Sequence, residues 1–209
     1  VRGGAVLAVP QGGSGSQRAY TLTRINRAQA SATLLFLHHE PDGPASQWSK
    51  QVRPGATVAG AVLARLSGEL TWITFNIGDS RVYLMRDGVL TQMSRDHSQV
   101  QVLIDAGQLT PDQARRDPRK NVVTRALGAG LNQEAVPDML SVPARCGDRL
   151  LVCSDGLSDE LDDEALATVL GAGMRPQRTA EAAVAAALEA GGHDNATALV
   201  VYLVPESAL

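Results

Sequence analysis

Three aspartates stand where predicted strands give way to turns, and small residues flank each of them. Asp79 lies in NIGDSR (residues 76–81), Asp155 in SDG (154–156) and Asp194 in GGHDN (191–195). Strand ends on a rigid scaffold can aim carboxylates into a shared cleft, and glycine or serine neighbours let an ion approach the backbone. Oxygen-only ligands favour Mg²⁺ or Mn²⁺ over zinc. Together the aspartates predict a site for a hard divalent cation, although each taken alone is more typical of a capped turn.

The elements expected to carry these aspartates are read from apolar periodicity and from capping signals. Strands or short apolar runs are predicted at residues 5–9, 20–25, 33–37, 70–77, 81–86, 121–127, 139–142, 149–153 and 196–204. Helices are predicted at residues 57–66 and 98–106, from residue 110, and at 162–170 and 179–190. Asp87-Gly88 predicts a type I′ hairpin turn. The short connections between the strands at 70–77, 81–86 and 89 onward imply antiparallel pairing among them.

The order of these elements predicts the α+β class. Hairpins and helix pairs occupy separate blocks of the chain, which favours α+β over an alternating βαβ pattern. Two antiparallel sheets covered by helices would fit this order. The chain has 209 residues, 44% of them hydrophobic and 20% charged. These values are ordinary for a folded protein, and we expect a single domain over residues 1–209.

Composition argues against several classes of protein. A net charge of −3 argues against a nucleic-acid binder that works through bulk positive charge. No run approaches the roughly 18 apolar residues of a membrane span. Two cysteines, Cys146 and Cys153, make no disulfide framework and favour a reduced, cytoplasmic chain. The chain begins at Val1 rather than methionine, so we expect a fragment of a longer protein.

Six ordered segments between residues 56 and 204 resemble one known family. They are 76–83 (NIGDSRVY), the hairpin that leads to 89–91 (VLT), 94–98 (SRDHS), 123–128 (VTRALG), 147–157 (GDRLLVCSDGL) and 192–197 (GHDNAT). In type, order and rough spacing they are similar to the motifs of the metal-dependent serine/threonine protein phosphatases of type 2C, the PPM family. The resemblance covers about 150 of the 209 residues.

The resemblance implies a sandwich of two antiparallel β-sheets flanked by helix pairs, with two Mg²⁺ or Mn²⁺ ions at one end. A metal-activated water would hydrolyse phosphoserine or phosphothreonine on proteins without a phospho-enzyme. Asp155 and Asp194 match the family's metal ligands, and Asp79 matches the aspartate of an accessory third metal. The resemblance assigns no catalytic residue beyond these ligands and no site for an organic cofactor. For His97 and Arg125, which also fall in the motifs, anchoring of a turn and packing at a strand edge are the better interpretation.

The N-terminal third departs from the family pattern. An arginine followed by an acidic Asn-Glu-Asp type of segment is expected there, and its nearest counterpart carries Gln17 and Arg18 instead. An Asp-Gly-Met-Gly-Gly-His motif should follow the strand at 33–37, where the chain has HHEPDGP (38–44). Asp42 and Gly43 form a displaced remnant of that motif and stand as the remaining candidate metal ligands. His38 and His39 make a poor replacement, because neighbouring residues of a strand point to opposite faces.

Two functions remain open on these grounds. The first is a phosphatase that uses Mn²⁺ or Mg²⁺ and acts on phosphorylated proteins. The second is an inactive pseudophosphatase that serves as a binding or regulatory module for a partner, such as a kinase or its substrate. The C-terminal motifs favour the enzyme and the losses near the N-terminus favour the binding module, since function depends on the site rather than the fold.

Overall fold

The computed structural model describes residues 57–127 and 136–204 in full and, before residue 57, the backbone of three strands. The strands are β1 (Gly3–Ala8), β2 (Gln17–Leu22), β3 (Leu34–His39), β4 (Thr57–Leu66), β5 (Glu69–Ile77), β6 (Arg81–Arg86), β7 (Val89–Gln92), β8 (Asp138–Pro143), β9 (Arg149–Cys153) and β10 (Ala198–Leu203). The helices are α1 (Gln99–Asp105), α2 (Pro111–Ala114), α3 (Asp155–Ser158), α4 (Asp163–Gly171) and α5 (Pro176–Ala190).

The strands of the described residues form two five-stranded antiparallel sheets. Sheet A has the order β1-β10-β9-β6-β7, and sheet B has the order β2-β3-β4-β5-β8. The predicted α+β class and the sandwich of two antiparallel sheets are both confirmed.

The central strands of sheet A are buried on both faces. In β9, Leu150 and Val152 face the core between the two sheets, which also contains Trp72 of sheet B. The alternate residues Leu151 and Cys153 point to the opposite face, into a second core beneath the helices. Burial on both faces explains why the sequence of β9 is apolar almost throughout rather than alternating.

Helices α4 and α5 cover the outer face of sheet A. Leu166 and Leu170 of α4 and Ala183 and Ala187 of α5 are buried in the second core. The alanines of α5 carry small side chains, so its backbone can lie close to the sheet. This helix layer holds the sheet whose strand ends carry the candidate site.

Three predictions about the elements were wrong. Residues 57–66 form strand β4 rather than a helix, since β4 lies between β3 and β5. Its first half is buried, and a buried apolar strand of small residues has a periodicity that also suits a buried helix. Residues 121–127 form no strand; they contain only isolated bridge residues, Val123, which pairs with Ser98, and Leu127. Strands β5 and β6 are not paired, because the chain crosses from sheet B to sheet A between them.

Candidate metal centre

The topology of sheet A brings the three aspartates to one end of the sandwich. Asp79 precedes β6, Asp155 follows β9 and Asp194 precedes β10. These three strands are antiparallel neighbours, and Cys153 pairs with both Arg81 and Ala198. Each aspartate thus lies within four residues, along its own segment, of the row of paired residues that Cys153 forms with Arg81 and Ala198 at this end of the sheet. The sequence predicted strand ends here, and the sheet order shows that they are the same end.

Hydrogen bonds around Ser154 join the segment that carries Asp155 to the one that carries Asp194. The Ser154 hydroxyl donates to the Asn195 carbonyl at 3.2 Å and accepts from the Thr197 amide at 3.0 Å. The Ser154 amide donates to the Thr197 carbonyl at 3.1 Å. Asp155 and Asp194 line one cavity of about 140 Å³ between these segments.

Gly156 is required by the closeness of these two segments. A Cβ atom at this position would lie 2.5 Å from the Asn195 carbonyl oxygen, far inside van der Waals contact. The glycine of SDG therefore lets α3 begin directly against the chain beside Asp194. This is a packing reason for a glycine that the sequence had associated with approach of an ion.

The turn that carries Asp79 is anchored by His97. The Gly78 amide donates to Nδ1 of His97 at 3.0 Å, and the His97 amide donates to the Gly78 carbonyl at 2.8 Å. Burial lowers the pKa of His97 although Asp138 opposes the shift, and Nδ1 must be unprotonated to accept the Gly78 N–H. Arg125 donates to Asp138 at 2.7 Å beside this ring. His97 thus anchors the turn, as the sequence interpretation expected.

Asp79 and Asp155 also face a larger cavity of about 500 Å³ beneath α1 and α2. Burial, followed by repulsion from Asp155, raises the pKa of Asp79 to about 7. Two carboxylates that repel each other in a partly buried site provide the chemistry that suits a divalent cation. More acidic side chains from the start of α4 and the preceding turn line the same cavity: Asp159, Asp162, Asp163 and Glu164.

Two of the cationic side chains that line these cavities are paired with carboxylates, whereas Arg115 donates to the backbone carbonyl of Asp159. Arg81 donates from Nε and Nη2 to Asp96 at 2.8 and 2.6 Å. Lys120 lies 2.7 Å from Asp159 and lines both cavities. Sequence reasoning did not identify Lys120 or Asp159, since neither stands in a turn pattern that suggests an ion site.

The remaining residues of the sequence prediction are not placed at the site. Asp42 and Gly43 lie outside the described residues, and so do the side chains of Gln17 and Arg18. In the described part of the chain, no three or more histidine, cysteine, aspartate or glutamate side chains are grouped so that they could hold a metal ion. The carboxylates that do converge fit Mn²⁺ or Mg²⁺ by donor type, and the described residues supply only part of a full ligand set.

The sandwich and the convergent aspartates define the class of protein. The chain resembles the serine/threonine phosphatase of S. agalactiae with a TM-score of 0.75 and 24% identity. The match covers 97% of this chain and 100% of that one. It also resembles the catalytic domain of the phosphatase PstP in complex with two manganese ions, with a TM-score of 0.66, 27% identity and 98% of both chains covered. The fold is that of the PPM phosphatases.

Sequence comparison points to the same family. PstP of Mycobacterium tuberculosis is 44% identical over 131 residues, which are 62% of this chain and 24% of that protein. The serine/threonine phosphatase stp of Listeria monocytogenes is 35% identical over 147 residues, 70% of this chain and 56% of that protein. The chain therefore spans less than two thirds of either relative. The resemblance to the type 2C family is confirmed.

A different family model matches the N-terminal part of the chain. The siderophore-interacting FAD-binding domain matches residues 3–61, which end inside β4. The matched residues include strands β1–β3, which belong to the two sheets of the sandwich. None of the helices in the described ranges has both the length and the apolar character needed to cross a bilayer.

Proposed function

We propose that this chain is a metal-dependent phosphatase that hydrolyses phosphoserine or phosphothreonine on proteins. The observation that carries the proposal is the meeting of the Asp155 and Asp194 segments through Ser154 at one end of sheet A. The named relatives are serine/threonine phosphatases, which supports the same activity here. The proposal includes a cytoplasmic location, which the two unpaired cysteines favour.

In this proposal Asp155 and Asp194 hold the metal, and Asp79 holds an accessory ion beside them. Asp42 and Gly43 remain the proposed additional ligands. When bound, Mn²⁺ or Mg²⁺ supplies an activated water and neutralises phosphate charge. The 140 Å³ and 500 Å³ cavities both include Asp155, so a phosphorylated side chain has room to reach it. The Arg81–Asp96 pair holds the wall of the larger cavity in place.

Hydrolysis assays with paired variants test the activity. We expect release of phosphate from p-nitrophenyl phosphate and from a phosphothreonine peptide with Mn²⁺, and its loss in Asp155→Asn and in Asp194→Asn. Asp87→Asn in the β6–β7 hairpin is the matched control, because asparagine also adopts the positive φ of 52° found there. Activity that persists in both site variants contradicts the assignment.

The inactive binding module is the alternative outcome of the same assays. It predicts no turnover and no calorimetric binding at millimolar Mn²⁺, together with capture of a partner kinase or its substrate. No contact of the described residues favours it over the enzyme. The case for it rests on the lost N-terminal motifs.

A second candidate function comes from the match over residues 3–61. The name of the matching family suggests that this segment binds FAD. Titration of the chain into FAD with flavin fluorescence as the readout tests this candidate. Saturable quenching supports it, and unchanged fluorescence up to millimolar protein contradicts it. Either result is independent of the phosphatase assays.

A further inference from the structure

Glu160 and His193 form a hydrogen-bonded pair at the edge of the candidate metal centre. One carboxylate oxygen of Glu160 accepts from Nδ1 of His193 at 2.8 Å and from the backbone amide of the same residue at 3.2 Å. Both residues line the 140 Å³ cavity together with Asp155 and Asp194. His193 directly precedes Asp194, and Glu160 follows the short helix that Asp155 begins. The pair thus joins the two ligand-bearing segments a second time, in addition to the hydrogen bonds of Ser154.

Burial is unequal across this pair. The Glu160 side chain is 12% exposed, whereas that of His193 is 83% exposed. Glu160 is therefore fixed against the protein, and the histidine ring lies over it from the solvent side. An exposed ring gains little from burial, so the hydrogen bonds to Glu160 are what orders it.

The absence of a side chain at Gly191 leaves space for this contact. A Cβ atom at Gly191 would lie 2.5 Å from Cε1 of His193 and 2.6 Å from the second carboxylate oxygen of Glu160. An added side chain at Gly191 would therefore displace the ring or the carboxylate from the positions in which they meet.

We propose that Glu160 is a positioning residue that holds segment 191–195 so that Asp194 faces Asp155 across the metal centre. This inference rests on the proposed metal-dependent function. It gives Glu160 no contact with the metal; it acts by fixing the backbone next to a ligand. Residues that orient metal ligands typically change metal affinity by about 10–100-fold when they are lost.

Four variants separate this role from simple loop packing. Glu160→Ala removes the acceptor, Glu160→Gln keeps an oxygen at the same place, and His193→Ala removes the ring donor but keeps the amide. Glu181→Ala is the control, because it removes a carboxylate that is also paired with a cation, Arg178 on α5, but lines neither cavity. Each variant is examined by amide hydrogen exchange without metal and by calorimetric titration with Mn²⁺, and urea unfolding checks that it is folded.

The expected results differ between these variants. Glu160→Ala speeds exchange of the His193 amide and weakens Mn²⁺ binding by about 10-fold or more, whereas Glu160→Gln largely restores both. His193→Ala weakens binding, and the double variant with Glu160→Ala is no worse than Glu160→Ala alone, since both remove one contact. Glu181→Ala leaves both readouts unchanged.

Two other results overturn the inference in distinguishable ways. If Glu160→Ala binds Mn²⁺ as tightly as the wild type does, Glu160 does not position the ligand, and the metal site stands without it. If the wild type binds no Mn²⁺ while the exchange of the His193 amide still depends on Glu160, the proposed function fails. In that case Glu160 only stabilises the conformation of segment 191–195.

Discussion

At the scale of single residues, Asp148 shows how a buried charge is held far from the candidate site. Its side chain is fully buried and accepts from Nε and Nη2 of Arg86 at 2.7 and 2.8 Å. Trp72 Nε1 donates to it at 2.9 Å and the Arg145 amide at 2.8 Å. The contacts join β5 of sheet B to β6 of sheet A. They lie at the opposite end of the sandwich from Asp155.

We therefore expect Asp148→Asn to destabilise the fold without altering the metal centre. Removal of one partner of a buried ion pair costs about 3–5 kcal/mol, and the partly exposed Arg86 favours the lower end. Urea unfolding would measure the loss, with Mn²⁺ titration of the folded variant as the control. An unfolding free energy equal to that of the wild type would contradict this account of Asp148.

The same carboxylate predicts a dependence of stability on pH. Burial alone would raise the pKa of Asp148, but its hydrogen bonds with Arg86, Arg145 and Trp72 lower it below the ordinary value. A carboxyl group with a lowered pKa in the folded state stabilises the fold at pH values above its unfolded-state pKa of about 3.9. That contribution is lost as the pH falls through the folded pKa. The free energy of unfolding, measured with urea, should therefore fall more steeply between about pH 5 and pH 2 for the wild type than for Asp148→Asn. Equal slopes of free energy against pH in the two proteins would contradict this prediction.

The candidate ligands could be recognised from sequence one residue at a time, but their partners could not. Asp155 and Asp194 stand in short motifs with glycine, and such patterns are visible in one dimension. The Glu160–His193 contact joins residues 33 positions apart. It depends on the course of the chain after β9 and before β10, which no local pattern specifies.

At the scale of elements, Gly156 controls how closely α3 approaches the segment before β10. We expect Gly156→Ala to push Asn195 away, since the added Cβ would lie 2.5 Å from its carbonyl oxygen. The two ligand segments would separate, and Mn²⁺ affinity should fall about 10-fold or more. Calorimetric titration measures this loss.

Gly171→Ala at the end of α4 is the matched control for that variant. Its added Cβ would meet only the terminal methyl of Met85 at 3.3 Å, and a flexible side chain can move aside. Gly171→Ala should bind Mn²⁺ like the wild type. If Gly156→Ala also does so, the closeness of the two segments is not what sets metal affinity.

Most elements around the site were predictable because their signals are local. Ser98 accepts from the Gln101 amide and caps α1, in agreement with the helix predicted from residue 98. Thr110 forms a capping box with Gln113 at the start of α2, where the sequence predicted a helix from residue 110. Strand β4 was missed for the opposite reason. Its small and branched apolar residues suit either a buried strand or a buried helix, and only pairing with β3 and β5 decides between them.

At the scale of the whole molecule, the family resemblance predicted the sandwich where composition alone could not. Hairpins and helix blocks indicated α+β, but nothing local predicted that β5 and β6 belong to different sheets. The ordered motifs over residues 56–204 implied a sandwich of two sheets, but not which of the two sheets each strand joins. The N-terminal third could not be predicted in the same way, because the motifs that the family carries there are not intact in this sequence. The single domain over residues 1–209 stays a prediction.

The measurement that tests the central claim most directly is calorimetric titration of the whole chain with Mn²⁺, compared with Asp155→Asn and Asp194→Asn. The account predicts saturable binding of at least one ion by the wild type and its loss in both variants, while Asp87→Asn binds normally. Binding should also raise the unfolding free energy, by about 2.7 kcal/mol at 100 times the dissociation constant. No binding by the wild type at millimolar Mn²⁺, or equal binding by both site variants, would contradict the metal centre.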